Sequence, residues 1–281
     1  MMHIENKIMD ELRNRGIDFG VEALEIKKNN VPCMGLRIID PDRMSVSPIV
    51  YYSETETLDE IITRLLSASA CDAPDFCLDH LTDRKYVLEH LQLAVVKRDG
   101  EDRNIIKKPY LNFDLIMKVV VNEAYGSELA TAKVTKQLLD SDGISEEEAW
   151  TYAEKNSRET VIIRDLAEVL SEMIGTPFPE EPSGMYVASC NGGNDGAAVL
   201  TMTDAFKSFC IDQGIENLRI LPSSTQEVIC ISLDMQVPAK ELICLVNEIN
   251  QTEVDPLIQM EPAVYIYSLA DNCISVELEV Q

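Results

Sequence analysis

In the stretch Ile220-Leu221-Pro222-Ser223-Ser224-Thr225-Gln226-Glu227-Val228-Ile229-Cys230-Ile231, small hydroxyls, an amide and a carboxylate crowd together between two apolar runs. Ser223 and Ser224 have the chemistry of a nucleophile or of a ligand-binding turn, with Gln226 and Glu227 placed to orient what they hold. A serine nucleophile needs a base within hydrogen-bond reach. The histidines are His3, His80 and His90, all far upstream, and Gln226 cannot act as a general base near neutral pH. The same residues also suit a hairpin turn whose hydroxyls satisfy backbone groups. The expectation is a binding or functional cluster at Ser223, Ser224, Gln226 and Glu227, with no residue assigned to catalysis.

Two other segments carry chemistry-bearing residues. Cys71, Asp72, Asp75, Cys77, Asp79 and His80, with His90 further on, offer thiolates, carboxylates and imidazoles. Neither a Cys-x-x-Cys nor a His-x-x-x-His pair is present, so the set reads as a loop and no metal is assigned. Asn191-Gly192-Gly193-Asn194-Asp195-Gly196 is rich in glycine but lacks the Gly-Lys-Ser/Thr ending of a phosphate loop. With apolar runs on both sides it reads as a β-hairpin loop, and no cofactor is assigned. Trp150 reads as a core or boundary aromatic.

The elements that must position these residues follow from periodicity. Ile4, Ile8 and Leu12 share one helical face, with Gly16 as a left-handed stop. Residues 19–28, 31–39 and 45–52 predict an antiparallel meander broken at Asn29-Asn30 and Pro41-Asp42. Thr57 to Glu60 has capping-box spacing ahead of Ile61, Ile62, Leu65 and Leu66, and Ser145 to Glu148 repeats that signal. Strands are expected at 91–96 and 112–121, separated by the charged stretch Lys97 to Lys108, and helical pattern is expected to dominate after them. Ile162, Leu166, Val169, Leu170 and Met173 form a helical stripe. Beyond it, strands at 185–190, 197–202, 217–222, 227–233, 263–268 and 273–279 alternate with helices at 204–213 and 238–250.

The run from Gly175 to Gly184 contains three prolines and is expected as a domain boundary. A chain of 281 residues, 46% hydrophobic, has a two-domain prior. The fold class expected is α+β in two domains, antiparallel sheets each packed with helices: an N-terminal region over 1–175 with a helical segment at its end, and a two-layer domain over 185–281.

Charge narrows the function classes. With 24 basic against 49 acidic side chains the net charge is -25, a field that opposes phosphate backbones and anionic lipid. Residues 185–281 hold 14 acids and 3 bases. Direct nucleic-acid binding is disfavoured. No stretch has the continuous apolar length of a membrane span, and charges at Glu5, Lys7, Asp10 and Glu11 interrupt any signal-peptide core. The eight cysteines sit singly in apolar contexts, as buried reduced thiols do. A cytoplasmic protein is expected.

Taken in order, several segments resemble a family of Firmicutes proteins, domain of unknown function 5688. They are Pro109-Tyr110 with Phe113-Asp114-Leu115; Ile144 to Trp150 with Ala153 and Asn156; Met185-Tyr186-Val187; Leu221 to Ser224 with Glu227-Val228; and Val246-Asn247-Glu248 through Val254 and Tyr265. The resemblance implies a bacterial cytoplasmic protein, met in gut Clostridia and near mobile elements, with no activity attached. It also implies histidine where this chain has Tyr110 and Gln226, which argues against an enzyme here. The residues favour a non-enzymatic binding or regulatory protein for a protein partner or small ligand. A hydrolase using Ser223 or Ser224, with a base from the other domain, and an acidic DNA mimic are the alternatives.

Overall fold

The computed structural model describes residues 4–17, 19–39, 49–53, 55–70, 78–98, 104–125, 128–175, 183–222 and 224–279. The chain forms two compact units, Met1–Phe76 and Cys77–Gln281. The first holds α1 (Ile4–Asn14), β1 (Gly20–Lys28), β2 (Val31–Ile39), β3 (Ile49–Tyr52) and α2 (Leu58–Ala70). Its sheet runs β1-β2-β3, antiparallel. Asn29 and Asn30, at φ 49° and 57°, make the two-residue turn that β1 and β2 need, because left-handed geometry matches strand twist. Ile8, Leu12, Leu36, Ile38, Ile61, Ile62 and Leu65 close the core. The capping box forms as read: Glu60 accepts the Thr57 N–H at 2.8 Å.

The second unit continues with α3 (Arg84–Glu89), β4 (Leu91–Lys97), β5 (Lys107–Tyr110), β6 (Phe113–Tyr125), β7 (Glu128–Lys133), α4 (Lys136–Asp142), α5 (Glu146–Arg158), β8 (Ile162–Asp165), α6 (Leu166–Ile174), β9 (Met185–Ser189), α7 (Thr203–Gln213), β10 (Asn217–Leu221), β11 (Val228–Ser232), α8 (Ala239–Thr252), β12 (Ala263–Ser268) and β13 (Cys273–Glu279). β6 pairs with β4, β5 and β7, while a six-stranded antiparallel sheet runs β13-β12-β10-β11-β9-β8. The α+β class expected from the sequence is the class observed.

Alternation along the six-stranded sheet buries both of its faces. Ile220, Cys230 and Tyr265 face a large core shared with Leu93, Phe113 and Met117 of the other sheet and with Trp150 and Phe206. Leu221, Ile231 and Val264 face the opposite way, against Leu242, Ile243 and Val246 of α8. That second buried face exceeds a two-layer reading.

Several expectations are corrected. The contact division falls at Phe76/Cys77, not at 175–184, because β8, upstream of that segment, pairs with β9, downstream of it. Trp150 and Ala153 also share one core with Tyr186 and Tyr265. Residues 176–182 lie outside the described residues, as do 45–48. Ile162 belongs to a strand, and the helical stripe starts only at Leu166, where Asp165 caps α6 by accepting the Ala167 N–H at 2.8 Å. Residues 197–202 are not a strand. Gly196–Thr201 is a 3-10 helix with Ala197, Ala198, Val199 and Leu200 fully buried, and a run buried all round carries no periodicity to tell the two apart. The loop before it is therefore no hairpin, and β9 finds its partners in β8 and β11. Within the charged stretch, β5 pairs with β6, and β7 occupies a place where helix was expected.

Candidate functional site

The two polar segments that the sequence singled out separately lie against each other. Antiparallel register Leu221↔Ile229 makes residues 222–227 the connection between adjacent strands β10 and β11. Its backbone is tied on both sides. Thr225 donates its N–H to the Ile258 carbonyl at 2.8 Å, and its own carbonyl accepts the Ala197 N–H at 3.1 Å. Ser189 Oγ donates to the Gln226 carbonyl at 3.0 Å. Gly196 makes this approach feasible, because a Cβ there would stand 1.9 Å from Ser189 Oγ and 2.2 Å from the Gln226 oxygen.

The 190–196 loop is anchored from behind by a closed ring of hydrogen bonds. Leu93 donates its N–H to Ser157 Oγ (2.8 Å), and the Leu93 carbonyl accepts from Asn191 Nδ2 (2.9 Å). The Asn191 N–H reaches Thr160 Oγ1 (2.8 Å), which itself donates to the Ser157 carbonyl (2.7 Å). Lys118 on β6 pairs with Asp195 at 2.5 Å, both side chains 19% exposed. These contacts hold the loop rigidly over the ends of β8, β9 and β11.

Between the loop, the sheet end and α6 lies a cleft of about 170 Å³. Register places Ile162 opposite Ser189 and Arg164 opposite Val187, so alternation brings these four side chains to one face of the sheet. It is the face that carries α8, since Val187 pairs with Ile229, a member of the α8 cluster. Ile162, Val169 and Val187 make the apolar wall, and Thr160, Ser189 and Glu227 supply oxygens.

Of the described members of the predicted cluster, Glu227 lines this cleft. Ser224 is buried, its Oγ accepts the Gln226 N–H at 3.2 Å, and its backbone bridges to Gln259. Gln226 is exposed, and Ser223 lies outside the described residues. Glu227 is exposed at the cleft mouth, and partial desolvation by the groups around it pushes the carboxyl above the usual range. It makes no hydrogen bond or ion pair among the described residues. Arg164, by contrast, is held by Glu172 at 2.6 and 2.9 Å and by Glu168 at 3.1 Å.

No nucleophile with its base is assembled among the described residues. The Cys190 thiol, also in the cleft wall, is pushed up to about 12 by burial, so it stays protonated near neutral pH. His80 and His90 stack on the two faces of Tyr86, with ring centroids 4.2 and 3.8 Å away, and His90 Nδ1 lies 2.8 Å from the Tyr86 carbonyl. No hydrogen bond joins either of them to Ser224 among the described residues. Cys71 and Cys77 lie outside those residues, as does His3, and among them no group of three His, Cys, Asp or Glu is placed to hold a metal. Tyr110, where the resemblance implies histidine, donates to the Leu200 carbonyl at 3.1 Å. Trp150 is 4% exposed, with Lys108 Nζ 4.2 Å above its ring.

Sequence reasoning missed Thr160, Ile162 and Ser189 as cleft residues. The signal available for them was weak: Gly192 and Gly193, already marked as a loop, sit across from them. No helix among the described residues is long and apolar enough to cross a membrane.

A model of a family of unknown function, DUF5688, matches residues 1–269. No match emerges among curated proteins or among solved structures.

Proposed function

The chain belongs to the DUF5688 family, and we propose from its own site that it is a non-enzymatic binding protein that takes a small ligand, or a side chain of a protein partner, into the cleft at Glu227. The observation that carries this reading is a carboxylate without a partner among the described residues, set beside an apolar wall. An exposed carboxylate with no compensating group among the described residues is open to an incoming donor, and the adjoining apolar surface adds burial to that contact. The wall is preformed by strands β8 and β9, and the 190–196 loop is held by buried bonds, so binding requires little ordering. The compartment that goes with this reading is the cytoplasm, and the six cysteines among the described residues carry free thiols.

The hydrolase alternative, which would use Ser223 or Ser224, gains no support from Ser224, whose hydroxyl is buried and bonded to its own turn. Methyl-resolved NMR of the full chain tests the proposal: small fragments should shift the Ile162, Val169 and Val187 methyl signals. Assays against ester, peptide and phosphoester substrates form the other arm. Turnover that vanishes in Ser224→Ala with the fold intact would overturn the binding reading.

A further inference from the structure

We infer that the group received by this cleft is a primary ammonium on a short apolar stem, an inference that rests on the binding reading above. Three features point the same way. The first is charge. Arg164 is the cation among the described residues of the cleft wall, but it is held by Glu168 and Glu172. With Glu227 these four groups leave a local excess of negative charge, which favours cations over anions.

The second feature is the direction of the hydrogens. Thr160 Oγ1 already donates to the Ser157 carbonyl, and Ser189 Oγ already donates to the Gln226 carbonyl. Both hydroxyls are therefore left with acceptor capacity, Thr160 Oγ1 with the lone pair that the Asn191 N–H does not take, as is the Glu227 carboxylate. An ammonium group, with three donors and no acceptor, matches these three oxygens, and the charged donor in the wall, the Arg164 guanidinium, is engaged by Glu168 and Glu172, so an incoming carboxylate would meet the acceptors and the Glu227 charge. The third is the wall. Ile162, Val169 and Val187 offer apolar surface to a stem of a few methylenes, within a cleft of about 170 Å³.

Such a group arrives either on a free small amine or as a lysine side chain, and the test separates these sources. The full chain, labelled at Ile and Val methyls, is titrated at neutral pH with n-butylammonium, butan-1-ol, butyrate and Nα-acetyl-lysine methylamide. We expect n-butylammonium to shift the Ile162, Val169 and Val187 signals with a Kd on the order of 1 mM, as its few heavy atoms permit. Butan-1-ol and butyrate should bind about tenfold more weakly or less, and Glu227→Gln should weaken the amine by about tenfold, the share of a charge-assisted bond. Equal affinity for the lysine derivative assigns the group to a protein partner's side chain, and binding of the free amine alone assigns a small ligand. Butan-1-ol matching the amine, or Glu227→Gln leaving its affinity unchanged, overturns the ammonium assignment while the binding cleft stands. If no probe of any charge moves these methyls, the binding reading falls with it.

Discussion

Replacing Gly196 by alanine tests whether the two polar loops depend on close backbone approach. The added Cβ would lie 1.9 Å from Ser189 Oγ, 2.2 Å from the Gln226 carbonyl oxygen and 2.8 Å from the Cys190 carbonyl oxygen. Rotating Ser189 removes the first contact only, because the other two atoms are backbone. To reach an ordinary separation of about 3.5 Å, the Gln226 carbonyl must retreat by more than about 1 Å. That shift breaks the Ser189–Gln226 bond and strains the Ala197–Thr225 and Cys190–Gly196 backbone bonds. Each net bond contributes about 1 kcal/mol, and overpacking a filled region adds about 1–3 kcal/mol. Alanine's better helix propensity offsets less than about 1 kcal/mol. Gly196→Ala should therefore destabilise the Cys77–Gln281 unit by about 3–5 kcal/mol. Urea unfolding followed by the fluorescence of Trp150, the sole tryptophan and a member of the same core, reads that unit directly. A loss under about 1 kcal/mol refutes the argument. So does full recovery in the double variant Ser189→Ala/Gly196→Ala, since that would place the constraint in the serine side chain and not in the backbone.

Lys118→Met leaves the Asp195 carboxylate without its partner in a site that is mostly buried, so it should cost about 2–4 kcal/mol in the same urea assay, with part of the loss recovered by adding Asp195→Asn. Because the raised pKa of Glu227 means that the folded chain holds this proton more tightly than the unfolded chain, the group supports folding at acid pH, and the support fades as pH climbs through the raised value. Glu227→Gln should flatten that part of the Tm-against-pH curve without lowering Tm at neutral pH; a lower Tm would mean the carboxylate has a stabilising partner. Among the six described cysteines, site-resolved thiol labelling of native protein should modify the exposed Cys244 and Cys273 first, while Cys210, pushed up to about 11 by burial, and the buried Cys190 and Cys230 react only on unfolding.

Local signals specified much of the element list. Ile4, Ile8 and Leu12 announced α1, and Gly16 does take the left-handed conformation, at φ 72°. Thr57 and Glu60 announced the start of α2, and Asn29-Asn30 the first hairpin, because capping and turn chemistry involve residues only a few positions apart. The failures share a different cause. Ile162 continues the spacing of Leu166, Val169 and Leu170, and only its pairing with Ser189 on β9 makes it a strand residue. Ala197 to Leu200 are apolar on every side, so their hydrophobic pattern has no period to read, and burial between two sheets settles their conformation. The proline-rich segment looked like a boundary because composition reports local stiffness, whereas pairing of β8 with β9 across it is a long-range contact.

The same distinction runs through the site. By itself the sequence determined that Ser224 and Glu227 sit in a polar connection between two strands, that a glycine-bearing loop lies upstream, and that the chain is strongly acidic. Only the tertiary structure decided that these two loops touch, that Ser224 turns inward to its own backbone, and that Glu227 is left beside Ile162 and Val187 without a partner among the described residues. Residue type sets what a carboxylate can do. Its hydration and its neighbours set what it does, and those come from segments more than sixty residues apart that meet only when the six-stranded sheet closes.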